Sequence, residues 1–535
     1  MVKYISLGTQ GNLLKRLLDD KVYILLIAVF SLIYLPQIFI AIGDLGLLSA
    51  FETDPGSIVA SIEGLFQKPY YNMLHSGYHS KFYGWTYYVI NFIVLAPIKF
   101  ALLVLNIQDK IIIYFVIRAI LFLIGLLSVL TFYALAKALF VGRIIPMFAS
   151  SLYLTMPVGA EHSPFFFIHP ESTGLLFLFI AILCLLKFIQ CSNNYKLYFW
   201  SVTCLALASL SKQIFFFVSL PVIFSFFHFY SVQNNKTYLQ VFRISEFYKI
   251  SICTLVLSFG ILCAIHPYAI LDFSTFFFHQ KELSDGAQHG EKSVSLIASL
   301  IEWFKVLWRY PLVICYGLVV VPSFIICAWK YKTQKQAKQF LFIANTLGLI
   351  AVLAIISFAN RTFFWDHYLQ PLYPFFILGL LAIVNYLMLR INVDNKPLKH
   401  LTQVTFVLFL SFVLLKNLIT IAPILNKRLQ FPESLAYKTF HYINKTTNPD
   451  DKIVYDHFVA MPEARGKQSC HYWHGCGTDH IEEYSPNIVM FNPAFTFQGE
   501  KHAPTERLKK YVKESGFPLV TTITDRGTNI LVYRK

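Results

Sequence analysis

Two acidic residues, Glu52 and Asp54, follow an apolar stretch at 22–42 that is long enough to cross a lipid bilayer. Acidic groups at a membrane boundary are costly to desolvate and usually reach water, so a close pair there indicates a reaction centre. A carboxylate near a hydroxyl group can remove its proton and turn it into a nucleophile. Capping is the structural alternative, because Asp54 before Pro55 is typical of a helix start. The second carboxylate favours chemistry.

The loop at 43–83, which contains this pair, also carries cationic and aromatic side chains. Cations can stabilise a phosphate leaving group, and aromatic faces suit sugar rings. The side chains that we predict to contact an acceptor or a sugar here are His75, His79 and Tyr83. The loop therefore has residue types for deprotonation, for charge neutralisation and for sugar binding.

A second polar stretch, at 159–171, includes Glu161, His169 and Glu171. Carboxylates and imidazoles bind divalent ions, but the spacing matches no specific metal motif and two prolines interrupt helical register. We therefore predict contacts with the acceptor or sugar and no protein-bound metal, and keep a divalent cation as an alternative cofactor. The structural alternative is a solvated loop with Glu171 in the first turn of the next helix, whose dipole favours an anion.

Lys212 interrupts an apolar run, where a buried ammonium is costly unless it reaches the interface or meets an anion. A phosphate would be such an anion. Downstream, Arg361 and His367 precede the apolar window that begins at 371, and both can hold a phosphate by charge-assisted hydrogen bonds. Tyr368 is a further candidate for sugar or acceptor binding. Each residue alone also fits the polar belt at a membrane interface, but their combination favours a phosphate site.

The composition shows which kind of fold must position these residues. The chain has 535 residues, of which 56% are hydrophobic and 14% charged, and this is more apolar side chain than one globular core needs. Apolar windows of about 20 residues recur from 22 to about 421, which predicts a multi-pass all-α transmembrane bundle. The formal charge of +16 collects in short stretches between these windows, so it indicates membrane topology and not nucleic-acid binding.

Basic stretches on the cytoplasmic side would place the intervening segments outside. These outer segments are 43–83, 159–171, the neighbourhood of 212, 266–309, 359–371 and everything after 422. We interpret 84–105 as a tilted or partly inserted helix, which leaves about eleven full crossings in a bundle of about 11 to 13 helices. The first window is too long for a typical signal peptide, so it predicts an uncleaved first helix. The long loop at 266–309 can cover the site.

The composition changes near residue 422 to that of a water-soluble protein, so the predicted domains are 1–422 in the membrane and 423–535 outside it. The predicted elements of this small α/β domain are helices at 432–445 and 505–515, strands at 452–456 and 487–491, and a terminal hairpin over 519–533. Cys470 and Cys476 lie in this outer part, where a disulfide is favoured over a zinc site because no second ligand pair follows.

These motifs resemble the GT-C class of integral-membrane glycosyltransferases, which includes protein O-mannosyltransferases and the aminoarabinose transferases that act on lipid A. The matching strings are Glu52-x-Asp54 after the first helix, the 75–88 stretch, Lys212 after a small polar residue, and His367-Tyr368-Leu369-Gln370-Pro371-Leu372-Tyr373-Pro374. Many bacterial relatives have adjacent Asp-Glu where Pro55 follows Asp54 here, so the choice between Glu52 and Asp54 stays open. The 77–80 segment lacks the proline of a His-Pro-aromatic sequence.

The resemblance implies an enzyme that moves a sugar from a polyprenyl-phosphate carrier to a lipid, glycan or protein acceptor on the outer side of the membrane. It makes Asp54 the base and Glu52 its neighbour, and it places the phosphate near Lys212 and Arg361. We expect inverting transfer without a covalent intermediate. Bacterial relatives imply an inner or plasma membrane, with the C-terminal domain extracytoplasmic. The expected partners are the lipid-linked donor, the bilayer and the acceptor.

Two other functions stay open from the sequence. A transporter or flippase of lipid-linked sugars would carry charges inside its helices and have two related halves, and no internal repeat is evident. A non-catalytic component of cell-envelope polysaccharide assembly would bind a partner through 423–535 and leave the acidic loop merely solvated.

Overall fold

The structure is a computed structural model. It describes residues 20–51, 53–67, 85–107, 110–140, 142–158, 163–190, 194–212, 215–216, 219, 223, 227, 231, 236–289, 293–310, 361–362, 364, 366–390, 396–456, 459–471, 481–494, 496–497, 500–501, 503–525 and 527–535. Within these residues, helices form the part before residue 430 and all strands follow residue 450.

The helices up to residue 308 are α1 (Lys21–Tyr34), α2 (Leu45–Phe51), α3 (Thr53–Gln67), α4 (Thr86–Val104), α5 (Lys110–Leu139), α6 (Ile144–Leu154), α7 (Glu171–Gln190), α8 (Tyr195–Ser209), α9 (Tyr238–Val241), α10 (Ser245–Ile265), α11 (Tyr268–Leu271), α12 (Phe273–His289) and α13 (Leu296–Trp308). Those that follow are α14 (Tyr373–Arg390), α15 (Lys396–Leu429), α16 (Leu435–Thr446), α17 (Ile481–Tyr484) and α18 (Ala503–Glu514). Two short 3-10 helices, Leu35–Phe39 and Asp366–Leu369, extend α1 and precede α14.

Six spans in the described residues are long and apolar enough to cross a membrane. They are Lys21–Phe39, Thr86–Val104, Ile111–Leu139, Glu171–Phe188, Ser245–Ile265 and Val404–Leu429. These spans, together with the C-terminal sheet, confirm the predicted fold class, while the number of 11 to 13 helices stays a prediction. Over 84–105, where we expected a tilted or partly inserted helix, α4 continues through Pro97 for 19 residues, a length sufficient for a full crossing.

The segment at 266–309, which we predicted as a long loop, is mostly helical where the structure describes it. The helices α11, α12 and α13 occupy it, and Ser295 caps α13 by accepting a hydrogen bond from the Ala298 amide. The sequence argument missed them because polar and charged residues punctuate this segment, although charged residues with a straight side chain are good helix formers. The description of 266–309 as a loop was therefore wrong.

The chain forms two compact units. The first consists of Met1–Leu35, Ser61–Ala96 and Ala119–Ile424, and the second of Pro36–Ala60, Pro97–Arg118 and Leu425–Lys535. In the first unit, polar side chains link neighbouring helices: the Ser201 hydroxyl of α8 donates to the Ala181 carbonyl of α7 at 2.8 Å. Small hydroxyl residues often serve this purpose between membrane helices, because they let backbones approach closely.

An ion pair fixes the beginning of the first helix within the first unit. Asp20 caps α1 by accepting from the Val22 amide at 3.2 Å, and its other oxygen accepts from Lys137 Nζ at 2.6 Å and from the Tyr133 hydroxyl at 3.1 Å. Burial acts to raise the pKa of the Asp20 carboxyl, but the hydrogen bonds from Lys137 and Val22 hold it below its usual value. The charged form therefore ties α1 to the end of α5.

The second unit contains a five-stranded sheet with the strand order β2-β1-β3-β7-β6. Its strands are β1 (Ile453–Tyr455), β2 (Ser469–His471), β3 (Ile488–Phe491), β6 (Leu519–Asp525) and β7 (Thr528–Arg534), and the pair β4 (Thr496–Phe497) and β5 (Glu500–Lys501) stands apart. The strand β1 runs parallel to β2 and β3, whereas β7 runs antiparallel to β3 and β6. The predicted terminal hairpin is confirmed.

The helices α16 and α18 cover opposite faces of this sheet, because alternate strand residues point to opposite sides. Ile453 and Ile488 pack with α16 residues such as Ile443, whereas Val454 and Val489 belong to the cluster that contains the α18 residues Leu508 and Val512. This arrangement confirms the predicted small α/β fold of the C-terminal part.

Gly174 in α7 marks a close contact that the first unit requires. A β-carbon at this position would overlap the ring of Phe215, which is fully buried against the helix. The Phe215 amide donates to the Lys212 carbonyl at 3.0 Å, so the backbones of these two residues are joined directly. The missing side chain at 174 thus lets the Lys212 segment lie against α7.

We expect Gly174→Ala to lower the free energy of unfolding by about 1 to 3 kcal/mol through overpacking, with up to about 1 kcal/mol regained from helix propensity. Thermal unfolding in detergent measures the change. Gly260→Ala is the matched control, because a β-carbon at this position in α10 has nothing within 4 Å. Equal stability of the Gly174→Ala and Gly260→Ala proteins would contradict the close contact.

Candidate functional site

Three ionisable side chains form a buried cluster in the first unit. The Lys212 ammonium donates a hydrogen bond to Glu171 Oε1, and His169 Nδ1 is in ion-pair contact with Glu171 Oε2. His169 is 5%, Glu171 3% and Lys212 7% exposed. A charge this deeply buried in an apolar bundle is tolerated only when it is paired and hydrogen-bonded. The Glu171 carboxylate accepts from the Lys212 ammonium and so meets that condition, with the His169 ring on its other side.

The start of α7 positions Glu171 and His169. Glu171 is the first residue of the helix, where the partial positive charge of the helix dipole favours an anion. The Ser172 hydroxyl donates to the His169 carbonyl at 3.3 Å, and the Gly174 amide donates to the Pro170 carbonyl at 3.1 Å. These hydrogen bonds fix the backbone at 169–174, so that the side chains of His169 and Glu171 lie next to each other.

The segment at 163–170 before α7 is buried, so the solvated loop of our structural alternative was wrong, whereas Glu171 does lie in the first turn of the helix. Phe165 anchors the segment, with its ring centroid 5.6 Å from that of Phe30, 5.1 Å from Tyr34 and 5.3 Å from Tyr153. All the residues at 163–171 are buried. The sequence suggested solvation because this stretch has two prolines and several polar residues, but its aromatic side chains decide the packing.

The end of α8 positions Lys212. The Thr86 amide donates to the Leu210 carbonyl at 3.1 Å, and the Thr86 hydroxyl donates to the Leu207 carbonyl at 2.9 Å. The start of α4 therefore satisfies backbone groups that a helix end leaves unpaired. The Lys212 Nζ atom lies 5.3 Å from the ring centroid of Tyr368, a cation–π distance.

A buried histidine lies next to the start of α4. The His266 ring centroid is 6.0 Å from that of Trp85 and 5.4 Å from that of Phe276, and its Nδ1 accepts from the Ala269 amide at 3.3 Å. Burial lowers the pKa of His266 to about 4, so the ring is neutral near pH 7. Its role here is a packed hydrogen-bond acceptor.

The structure brings together four residues that the sequence assigned to two subsites: Lys212 to phosphate binding, and His169, Glu171 and Tyr368 to the sugar or acceptor. Lys212 was predicted to bind the phosphate of the donor, and in this structure its ammonium bonds the Glu171 carboxylate. Arg361 also belongs to the first unit, and its carbonyl accepts from the Val294 amide at 3.1 Å.

Other predicted site residues are described only in part or not at all. Asp54 is the second residue of α3, which begins two residues before the expected start at Pro55, and the structure describes its backbone alone. His367 lies in the 3-10 helix Asp366–Leu369, again with its backbone alone described. The residues outside the described part are Glu52, His75, His79, Tyr83, Glu161 and Cys476.

Two buried arginines in the second unit escaped the sequence argument. Arg118 is 3% and Arg428 7% exposed, and each lies in a helix that includes a membrane-spanning stretch. The sequence could have indicated Arg118, because this residue interrupts the apolar run at 111–127 in the same way as Lys212 interrupts an apolar run. Among the residues that the structure describes, no group of three His, Cys, Asp or Glu side chains is arranged to hold a metal ion.

The second unit also contains a cavity of about 370 Å³. It is lined mainly by apolar and aromatic side chains, among them Phe39, Leu47, Phe431, Tyr437 and His441. This volume falls at the lower end of the range for small-molecule sites, so a ring or a short apolar chain fits it.

Comparison with known families places the buried cluster in a recognised segment. The family of dolichyl-phosphate-mannose-protein mannosyltransferases matches residues 100–245, which include His169, Glu171 and Lys212. The match confirms the predicted resemblance to membrane glycosyltransferases of the GT-C class over this segment. No curated protein sequence matches the chain.

Solved structures of low sequence identity resemble the chain over most of its length. ArnT from Cupriavidus metallidurans bound to undecaprenyl phosphate has 10% identity and a TM-score of 0.46, covering 95% of this chain and 97% of that one. Its apo state has 12% identity and a TM-score of 0.47 at the same coverage. The oligosaccharyltransferase AglB from Archaeoglobus fulgidus, in complex with an inhibitory peptide and a dolichol-phosphate, has 12% identity and a TM-score of 0.43. This match covers 89% of the present chain and 70% of the AglB chain.

The pairing of Lys212 with Glu171 predicts strong coupling between the two. Glu171→Gln leaves a buried ammonium without its anion, so we expect it to cost roughly 3 to 5 kcal/mol of unfolding free energy. The double variant Glu171→Gln/Lys212→Met removes both charges and should be more stable than the single variant. Thermal and denaturant unfolding of the wild type, the two single variants and the double variant measures the coupling. Additive effects of the two changes would contradict a buried pair.

Proposed function

We propose that the protein is a membrane glycosyltransferase that moves a sugar from a polyprenyl-phosphate-linked donor to a lipid, glycan or protein acceptor on the extracytoplasmic side. The family match over 100–245, which includes the buried Lys212 cluster, is the observation that carries the proposal. The membrane-spanning helices fit a donor with a polyprenyl tail, because such a tail stays in the bilayer. Residues 1–422 would form the catalytic domain and 423–535 an extracytoplasmic α/β domain.

The proposed reaction is an inverting displacement at the anomeric carbon. Asp54 or Glu52 removes the proton of the acceptor hydroxyl, whose oxygen forms a bond to the anomeric carbon as the bond from that carbon to the phosphate oxygen breaks. The electron pair of the broken bond leaves with the polyprenyl phosphate. A carboxylate can serve as the base because it accepts a proton from a hydroxyl group held within hydrogen-bond reach.

Cationic side chains would stabilise the leaving group in this reaction. An ammonium has three N–H donors, so Lys212 can hold Glu171 and a phosphate oxygen at once. Arg361 and His367 are proposed as further phosphate contacts. The side chains proposed for the acceptor and the sugar are His75, His79, Tyr83, Glu161, His169, Glu171 and Tyr368.

Replacing the proposed base should stop transfer without unfolding the protein. Asp54→Asn keeps the shape of the side chain but removes its basicity, so we expect a loss of at least about 100-fold in the transfer rate. The measurement is transfer of a radiolabelled sugar from a polyprenyl phosphate carrier in nanodiscs. Asp525→Asn, which removes a partly exposed partner of Lys438, is the matched control. Full turnover by the Asp54→Asn protein would remove this residue from the reaction.

Removing the buried cation should weaken binding of the carrier phosphate. The Glu171→Gln/Lys212→Met protein lacks the ammonium but leaves no unpaired buried charge, so it should remain folded. We expect its Kd for polyprenyl phosphate to rise by about tenfold or more, because this factor corresponds to the free energy of one hydrogen bond to a charged group. An unchanged Kd would contradict the role of Lys212. Movement of a fluorescent lipid-linked sugar across the membrane, without transfer, would instead favour a flippase.

A further inference from the structure

The segment at 44–51, which leads to Glu52 and Asp54, is attached to the C-terminal part within the second unit. The Asp44 carboxylate accepts from the Glu463 amide at 3.1 Å through Oδ2 and at 3.2 Å through Oδ1. Its Oδ1 also accepts from the Gly46 amide at 2.6 Å. A carboxylate that accepts several backbone amides is held more firmly than a neutral pair would be, because these bonds are charge-assisted. Asp44 therefore joins the two chain segments.

Gly46 brings the two backbones into direct contact. A β-carbon at this position would overlap the Met461 carbonyl, so only glycine allows this approach. Gly43, three residues earlier, has nothing within 4 Å of the corresponding position. The close fit is therefore specific to Gly46 and depends on the Met461–Glu463 segment.

Aromatic and cationic groups hold the other end of α2 at Phe51. The Phe51 ring centroid lies 4.6 Å from that of Phe431. The Arg428 guanidinium carbon lies 4.3 Å from the Phe51 ring centroid. Arg118 approaches it at 5.7 Å. The Arg428 Nε donates to Gln37 Oε1 at 3.0 Å, which orients the guanidinium. Phe51, one residue before Glu52, is thus half-buried and packed against planar groups.

We propose that residues 428–463 are a positioning element for the carboxylates of the first outer loop. This inference rests on the proposed function. Asp44, Gly46 and Phe51 fix α2 at its two ends against this element, and the chain continues directly into Glu52 and Asp54. Asp44 and Arg428 are positioning residues, since they act through the backbone and through Phe51. The C-terminal part therefore serves the reaction as well as forming its own sheet.

The proposal separates geometry at the reacting group from general stability. A positioning role changes how often the base meets the acceptor correctly, and a misplacement of about 1 Å can cost 100-fold in rate. Loss of this positioning should therefore lower kcat and leave the KM for the donor nearly constant. A merely structural role would lower the amount of folded protein but leave kcat per folded molecule unchanged.

The experiment uses the full chain in nanodiscs and four variants in matched pairs. Asp44→Asn is compared with Asp525→Asn, and Gly46→Ala with Gly43→Ala. Hydrogen exchange at 44–51 and 459–463 measures attachment, and sugar transfer from a polyprenyl phosphate carrier measures kcat and KM. We expect Asp44→Asn and Gly46→Ala to reduce protection in these two segments and to lower kcat by about tenfold or more, with KM changed less than about twofold. The two controls should match the wild type.

A further variant keeps the positive charge but changes the shape of the group on Phe51. Arg428→Lys retains the cation and loses the planar guanidinium, so it should reduce kcat less than Asp44→Asn does. Full kcat in a folded Asp44→Asn protein, or equal behaviour of the Gly46→Ala and Gly43→Ala proteins, would overturn the positioning role. Failure of the wild type to transfer any sugar would contradict the proposed function instead, so the two failures are distinguishable.

Discussion

The pairing of Lys212 with Glu171 is the constraint on which the first unit depends. A buried ammonium in an apolar bundle would cost several kcal/mol without its anion, so the fold has to bring together residues that lie 41 positions apart. Phe165, Gly174 and the Thr86 contacts all serve this meeting point. They order the segment before α7, bring the turn at Phe215 against the helix and complete the end of α8.

Buried non-helical backbone needs hydrogen-bond partners inside the protein, and this explains several polar side chains among the helices. The Tyr34 hydroxyl donates to the Leu154 carbonyl at 2.7 Å, where α6 ends. The Gln370 amide nitrogen donates to the Val158 carbonyl at 3.4 Å. Side chains far away in sequence thus satisfy carbonyls in the break between α6 and α7. The break is what allows His169 and Glu171 to point inwards from a helix start.

The sequence predicted features that depend on local pattern. Apolar windows identified membrane helices, and alternating apolar residues on either side of a turn identified the β6–β7 hairpin. Both patterns can be recognised in consecutive residues of the sequence. Lys212 was noticed because it interrupts an apolar run, where an ammonium must reach the interface or meet an anion. The partner of Lys212 could not be predicted from the sequence, because Glu171 contacts this residue only through tertiary packing. Arg118 carried the same signal as Lys212 and was overlooked.

Tertiary packing must also determine α2, and this links the C-terminal part to the acidic loop. The helix has seven residues, and isolated helices shorter than about 12 to 15 residues are marginal in water. Its first turn contains Gly46, which costs about 1 kcal/mol of helix propensity relative to alanine. Local preference therefore cannot hold Leu45–Phe51 in place, whereas the bonds from the Glu463 amide to Asp44 and the packing of Phe51 against Phe431 and Arg428 can. The position of Phe51, one residue before Glu52 in the chain, thus depends on residues about 400 positions away in sequence.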